Sequence, residues 1–165
     1  MDTFPPKTNA LAMIFRNPKP IIGMVHSLPM PGSPRFKHYN IKDVYDFGVE
    51  EALRLKEGGV DGIILENGWD LPFAKPDQIG FETIGAMSVL GRLIREATGL
   101  PLGINILANA AKASLATALA CGANFIRVNQ WVNAYIANEG FIEGKAGEAL
   151  RYRAWIGADD VKIFA

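Results

Sequence analysis

The sequence predicts an α/β protein of the (β/α)8 barrel type, shortened to four βα units and a fifth strand, (βα)4β. After Pro20, short β-rich runs alternate with longer helical stretches, a pattern typical of a parallel sheet. Residues 59–67 and 122–130 share one pattern: a glycine, a small polar residue, an apolar run and polar residues at the end. Such a pattern is expected of a repeated βα unit. A doubly wound sheet is the alternative. The first strand lacks a following Gly-x-Gly-x-x-Gly, which disfavours its dinucleotide-binding form.

The predicted elements follow each other at the spacing of these units. The five predicted strands cover residues 21–26, 62–66, 102–107, 125–129 and a run beginning at Val161. The predicted helices cover residues 41–57, 81–97, 110–120 and 146–155. Residues 1–19 are predicted to form an N-terminal extension with a short helix, and residues 20–165 to form the N-terminal part of one barrel domain.

Charge and composition limit the classes of function. The chain has 17 basic and 17 acidic residues and a net charge of +0, which disfavours a nucleic-acid binder. One cysteine and two histidines exclude an intramolecular disulfide and leave little material for a metal site, so none is expected. No cofactor motif is evident. Since no signal peptide or transmembrane segment is found, we expect a cytoplasmic protein.

The length of the chain conflicts with a complete barrel. Eight units would need about 250 residues, whereas this chain has 165 and stops within a predicted strand. A half-barrel would expose two unpaired parallel edges, which natural folds avoid or cover. We therefore expect either a truncated barrel or pairing with another chain as a homo-oligomer. An open five-stranded sheet, complete in itself, is the alternative.

Polar residues at the strand ends are the candidate site, because ligands of parallel α/β folds bind at the carboxyl ends of the strands. Side chains alternate along a strand, so Arg127 and Asn129 share one face with Phe125. Strands two and four contribute to the same barrel layer, which brings Glu66 towards Arg127. The candidate residues are His26, Glu66, Asn67, Asn105, Arg127 and Asn129.

Two interpretations of this cluster remain open. Glu66 and Arg127 can be a core ion pair that orders the barrel. Alternatively, Asn67, Asn105, Arg127 and Asn129 bind a small anionic or polyhydroxylated ligand, with Glu66 and His26 as the catalytic acid and base.

Other residues carry weaker signals. Residues 130–144 form a long connection and are predicted to be a lid. Trp69 can wall a pocket or seal the rim of the barrel. Cys121 follows an alanine-rich helix and is predicted to pack rather than react. Asp61 precedes its strand, so a stabilising role is expected.

Several ordered motifs resemble those of the BtpA/SgcQ family. The first lie at residues 19–26, with Gly-Met-Val-His before the turn, and at 28–34. The others lie at residues 58–67, 103–107, 125–129, 139–146 and 150–153. The resemblance runs from Lys19 to Ala165 and implies a (β/α)8 barrel, in agreement with the repeat pattern.

The resemblance also implies two kinds of function. Family members are longer and continue past the position of Ala165, so it implies an N-terminal portion that lacks the later strands and any phosphate site they hold. One branch of the family is associated with biogenesis of photosystem I, as a membrane-peripheral factor. Another lies beside genes of carbohydrate metabolism and is regarded as enzymatic. Either a small-molecule enzyme or a non-catalytic assembly factor is therefore expected.

Overall fold

In the computed structural model, which describes residues 9–165, five parallel strands form one sheet. These strands are β1 (Ile22–His26), β2 (Gly62–Glu66), β3 (Leu102–Asn105), β4 (Phe125–Arg127) and β7 (Lys162–Phe164). A separate antiparallel hairpin consists of β5 (Ala134–Ala137) and β6 (Gly140–Glu143). The helices are α1 (Ala10–Ile14), α2 (Ile41–Glu57), α3 (Phe81–Thr98), α4 (Ala111–Cys121) and α5 (Ala146–Trp155).

The strands lie side by side in chain order, β1-β2-β3-β4-β7, and all pairs are parallel. A doubly wound sheet reverses its strand order at a switch point, and no reversal occurs here. Consecutive order is the order of neighbouring units in a (β/α)8 barrel. The predicted parallel α/β fold is therefore confirmed, and the sheet is consistent with part of a barrel.

Alternating side chains divide the sheet into two different faces. On the outer face, Val25, Leu65 and Ile126 are buried against a core that includes residues of α2, α3 and α4. On the inner face, Ile64 and Phe125 form a second, smaller cluster. The alternation predicted from the sequence is confirmed, and it directs the candidate polar residues to the inner face at the strand ends.

Aromatic rings fill the inner face where the strands carry glycine. Phe125 packs over Gly103, where an added Cβ would lie 2.2 Å from the phenyl ring. Phe15, which follows α1, packs over Gly62, where a Cβ would lie 2.5 Å from its ring. The two rings meet edge to face at 5.9 Å, so the N-terminal helix helps to cover this side of the sheet.

Most predicted boundaries are confirmed to within one residue, and two strands, β3 and β4, are each two residues shorter than predicted. The Asn40 side chain accepts a hydrogen bond from the Asp43 amide and begins α2, while Gly59 at φ 84° follows its end. Strand β3 stops at Asn105 and β4 at Arg127, because the chain turns away there into loops. Residues 1–8 of the predicted extension lie outside the described residues.

The connection after β4 differs from a simple loop. Residues 134–143 pair as a hairpin with Ile136 opposite Phe141. Its base is fixed, because the Gly144 amide donates to the carbonyl of Asn133 at 2.7 Å. The adjacent Tyr135 and Ile136, residue types that favour strands, were the available signal for β5, but the sequence does not say that this segment pairs with itself.

Candidate functional site

Parallel register brings three polar residues to one edge of the sheet. His26 of β1 lies opposite Glu66 of β2, and Glu66 lies opposite Asn105 of β3. Arg127 ends β4, the next strand along. With Arg127, four of the six candidate residues therefore lie at the carboxyl ends of neighbouring strands.

Glu66 is the centre of this cluster. Its side chain is 7% exposed, and one carboxylate oxygen, Oε2, accepts a hydrogen bond from the Asn105 amide. The same oxygen lies 3.4 Å from Nη1 of Arg127, while Oε1 lies 3.2 Å from Nδ1 of His26. A buried carboxylate is stable only when paired and hydrogen-bonded, and these three neighbours meet that need.

The two cationic partners of Glu66 are open to solvent. The side chain of Arg127 is 43% exposed and that of His26 is 52% exposed. The sequence interpretation of a core ion pair therefore fits only one half of the pair, because the guanidinium is not buried. An open guanidinium and an open imidazole beside a fixed carboxylate can both reach a ligand.

Asn129 lies two residues beyond Arg127, past the end of β4. Its Oδ1 atom is buried, and no hydrogen-bond partner for it occurs among the described residues. A buried amide oxygen without a donor is costly. Asn129 makes no side-chain hydrogen bond to the Glu66 cluster among the described residues.

Trp69 lines a cavity beside His26. The cavity has a volume of about 440 Å³ and is also lined by Met24 and Phe47. Trp69 itself is 47% exposed, so the structure favours the pocket-wall interpretation over a sealed rim.

Asn67 lies apart from the cluster, although it directly follows Glu66. Its side chain is fully buried, donates to Asp70 Oδ2 at 2.9 Å and exchanges bonds with the backbone of Leu107. Its polar groups are engaged within the protein, which favours a role in holding loops over the ligand contact predicted from the sequence.

Asp70 is a buried residue that sequence reasoning missed. Its Oδ1 accepts a hydrogen bond from the Met30 amide at 2.6 Å. Burial raises the pKa of the Asp70 carboxyl, while the bonds from Met30 and Asn67 lower it. The signal available in the sequence was the Asn-x-x-Asp spacing after β2, which is common in turns and therefore weak.

Asn109 joins the hairpin to the loop after β3. Its Oδ1 accepts from the Gln130 amide at 2.9 Å, and its Nδ2 donates to the Glu143 carbonyl at 3.3 Å. Both ends of the hairpin are therefore tied to one side chain, which gives the predicted lid a fixed base.

No group of three or more His, Cys, Asp or Glu residues within residues 9–165 is arranged to hold a metal ion. Within the same residues, no helix has both the length and the apolar character needed to cross a bilayer.

Comparisons with known proteins support the resemblance seen in the sequence. The model of the BtpA family matches residues 17–165. An uncharacterized protein of Archaeoglobus fulgidus is 46% identical over 135 residues, covering 82% of this chain and 53% of its own length. An uncharacterized protein of Methanocaldococcus jannaschii is 42% identical over 148 residues, or 89% of this chain and 55% of its own.

A relative with a functional name is similarly close. The protein of Synechocystis named photosystem I biogenesis protein BtpA is 41% identical over 155 residues, which is 94% of this chain and 53% of that protein. The chain thus spans about half the length of these relatives. A family match over residues 17–165, together with these identities, establishes that the chain belongs to the BtpA family.

Proposed function

We propose that this chain carries the first half of an enzyme site for a small polar ligand of the sugar or phosphate type. The observation that supports this most strongly is the arrangement around Glu66. One buried carboxylate contacts side chains from three other strands, and two of these, His26 and Arg127, are half open to solvent. A purely structural ion pair needs neither the imidazole nor the open guanidinium.

The geometry suits acid–base chemistry by Glu66 and His26. Glu66 lies against Nδ1 of the imidazole, which favours a proton on that nitrogen and leaves Nε2 to exchange a proton with a ligand. Glu66 is buried and bonded, so its main contribution is to orient His26. His26, which is exposed, is the group that meets the ligand.

The neighbouring residues suit an anionic or hydroxylated ligand. Arg127 presents a planar set of donors that matches phosphate or carboxylate oxygens. Asn129 offers an unpartnered acceptor for a hydroxyl group, and Asn105 holds the carboxylate in place. A sugar phosphate or a hydroxy acid has both kinds of group.

The fold supports this placement of the site. Consecutive parallel strands with helices on the outer face are consistent with the first units of a barrel, and barrel enzymes act at the carboxyl ends of the strands. We propose that in the full-length relatives the remaining half completes the barrel. In the described part of the chain, β1 and β7 are the outermost strands of the sheet. Unpaired strand edges favour self-association, which light scattering of the purified protein tests: a stable monomer would contradict it.

Calorimetric titration with inorganic phosphate and a panel of sugar phosphates tests the ligand class. The wild-type chain should bind at least one of them, and Arg127→Met should weaken that binding at least tenfold, since a charge-assisted hydrogen bond contributes about 1.5–3 kcal/mol. Arg92→Met is the matched control, because Arg92 is an exposed arginine paired with Glu96 on α3. Equal losses in both variants would contradict the proposal.

A second candidate function rests on the Synechocystis relative and its name. In this alternative the chain is a non-catalytic assembly factor for a membrane complex. Exposed apolar side chains on the hairpin, Ile136 at 83% and Phe141 at 60%, are suited to contact a partner. Ile136→Ser with Phe141→Ser should then abolish copurification with membrane complexes, whereas Arg127→Met should not. The reverse result favours the enzyme.

A further inference from the structure

Four hydrogen bonds, two of them buried and two partly buried, form a set that connects the loops following β1, β2 and β3. The Met30 amide donates to Asp70 at 2.6 Å, and Asn67 donates to Asp70 at 2.9 Å. The Asn67 side chain accepts from the Leu107 amide at 2.7 Å and donates to the Leu107 carbonyl at 3.3 Å. We call this set, Met30, Asp70, Asn67 and Leu107, the loop clamp.

Each loop of the clamp begins next to a residue of the candidate site. Met30 lies four residues after His26, Asn67 directly follows Glu66, and Leu107 lies two residues after Asn105. The clamp therefore joins the loops that follow three of the four strands in the Glu66 cluster. Loops at strand ends lie beyond the ladder of strand hydrogen bonds, so side-chain bonds such as these help to set their positions.

We propose that Asn67 and Asp70 are positioning residues, which set the spacing of His26, Glu66 and Asn105 through the loop clamp. A role in catalysis rests on the proposed function. The effect of Asn67 and Asp70 on the position of His26 can be measured without a ligand. Neither residue touches the open part of the site, since Asn67 is fully buried and Asp70 is 8% exposed.

The chemistry of the clamp fixes the identity of both residues. Asp70 accepts two hydrogen bonds and donates none, which an ionised carboxylate does. Asn67 must both donate and accept, because it meets an amide N–H, a carbonyl and a carboxylate. Asn67→Asp alone therefore leaves two acceptors face to face. Asp70→Asn alone leaves two donors face to face.

The double exchange restores the pattern between the two side chains. With Asn67→Asp and Asp70→Asn together, residue 70 can donate to residue 67 and still accept from the Met30 amide. Residue 67 can still accept from the Leu107 amide. The 3.3 Å bond to the Leu107 carbonyl is replaced by a contact between two acceptors, so the double variant restores three of the four bonds.

The experiment measures the imidazole signals of the two histidines by NMR in the 165-residue chain. His26 reports on the site, and His38, which is exposed, is the internal reference. Asp70→Asn and Asn67→Asp should each shift the His26 signals and change the balance between its Nδ1–H and Nε2–H forms. The double variant should return both towards the wild-type values.

Thr83→Val is the matched control. Thr83 is buried and donates to the Pro31 carbonyl at 3.0 Å, so its loss removes a buried bond to the same first loop but leaves the clamp intact. It should lower the free energy of unfolding and leave the His26 signals unchanged. If Thr83→Val shifts His26 as much as the clamp variants do, the positioning role is wrong.

Two further outcomes separate this inference from the proposed function. If no phosphate compound binds the wild-type chain but the His26 signals respond as described, the clamp stands and the ligand class is wrong. If phosphate binds and the single variants neither shift His26 nor weaken that binding about tenfold, the clamp is wrong. Should the single variants fail to fold, the double variant decides: wild-type His26 signals support the inference, and displaced signals overturn it.

Discussion

Replacing Phe125 by alanine should remove much of the packing on the inner face of the sheet. Phe125 is fully buried, lies 4.7 Å from the Phe164 ring and 5.9 Å from the Phe15 ring, and covers Gly103. Loss of such a ring costs about 3–5 kcal/mol, a large part of the about 5–15 kcal/mol that stabilises a typical domain. Urea unfolding followed by circular dichroism gives this free energy directly.

The geometry predicts a particular coupling between Phe125 and Gly103. Gly103→Ala alone should cost about 1–3 kcal/mol, because the new methyl group would lie 2.2 Å from the Phe125 ring. In the Phe125→Ala background the same methyl group has room, so the double variant should be more stable than the sum of the two losses by about 1–3 kcal/mol.

A glycine in open space is the control for this cycle. A Cβ on Gly85 of α3 would meet nothing within 4 Å, so Gly85→Ala should raise the free energy of unfolding by about 0.5–1 kcal/mol and add independently to Phe125→Ala. Additive losses for Gly103→Ala and Phe125→Ala would refute the assignment of these residues to one packed inner face.

Three further predictions concern other parts of the chain. Asn109→Ala should speed hydrogen exchange throughout the hairpin, because it removes both side-chain bonds that tie the ends and places alanine at φ 55°. Cys121 should react slowly with Ellman's reagent until urea unfolds the chain, since burial excludes the reagent and raises the pKa of the thiol. Burial raises the pKa of Asp70, so folding favours the neutral form of this carboxyl. Its contribution to the free energy of unfolding is therefore lost as pH rises through the native pKa. Asn67→Ala removes a donor that lowers this pKa, so carbon-13 NMR should show Asp70 titrating at higher pH than in the wild type.

Sequence patterns were sufficient for the parallel sheet and for the polar cluster. Strand alternation placed Arg127 on the same face as Phe125, and the layering of alternate barrel strands brought Glu66 towards Arg127, whose atoms lie 3.4 Å apart. Both inferences depend on local periodicity, which survives folding unchanged. The consecutive strand order then followed from short connections between neighbouring units.

Long-range hydrogen bonds could not be read from these patterns. Asn67 was expected to contact a ligand because it follows a strand, yet its partners include Leu107, 40 residues away. The pairing of Asp70 with Met30 spans the same distance. Such bonds depend on how three loops pass each other, and no periodicity in the sequence records that arrangement.

The hairpin shows the same limit at shorter range. The segment from Gln130 to Gly144 was long and rich in polar residues, which indicated a lid. Pairing of Ile136 with Phe141 makes part of this segment an ordered hairpin, which the length of the connection alone does not predict. The enzyme interpretation gives no role to the exposed side chains of Ile136 and Phe141, whereas the assembly-factor interpretation uses them to contact a partner.

The central claim is that the strand-end cluster binds a ligand through Arg127 beside the Glu66–His26 pair. Titration of the wild-type chain with the phosphate compound that calorimetry selects, followed by NMR of the histidine rings, tests it most directly. The account predicts a saturable shift of the His26 signals, no matching shift of His38, and loss of the His26 response in Arg127→Met. A His26 signal that does not respond, or that responds equally in wild type and Arg127→Met, would contradict the account.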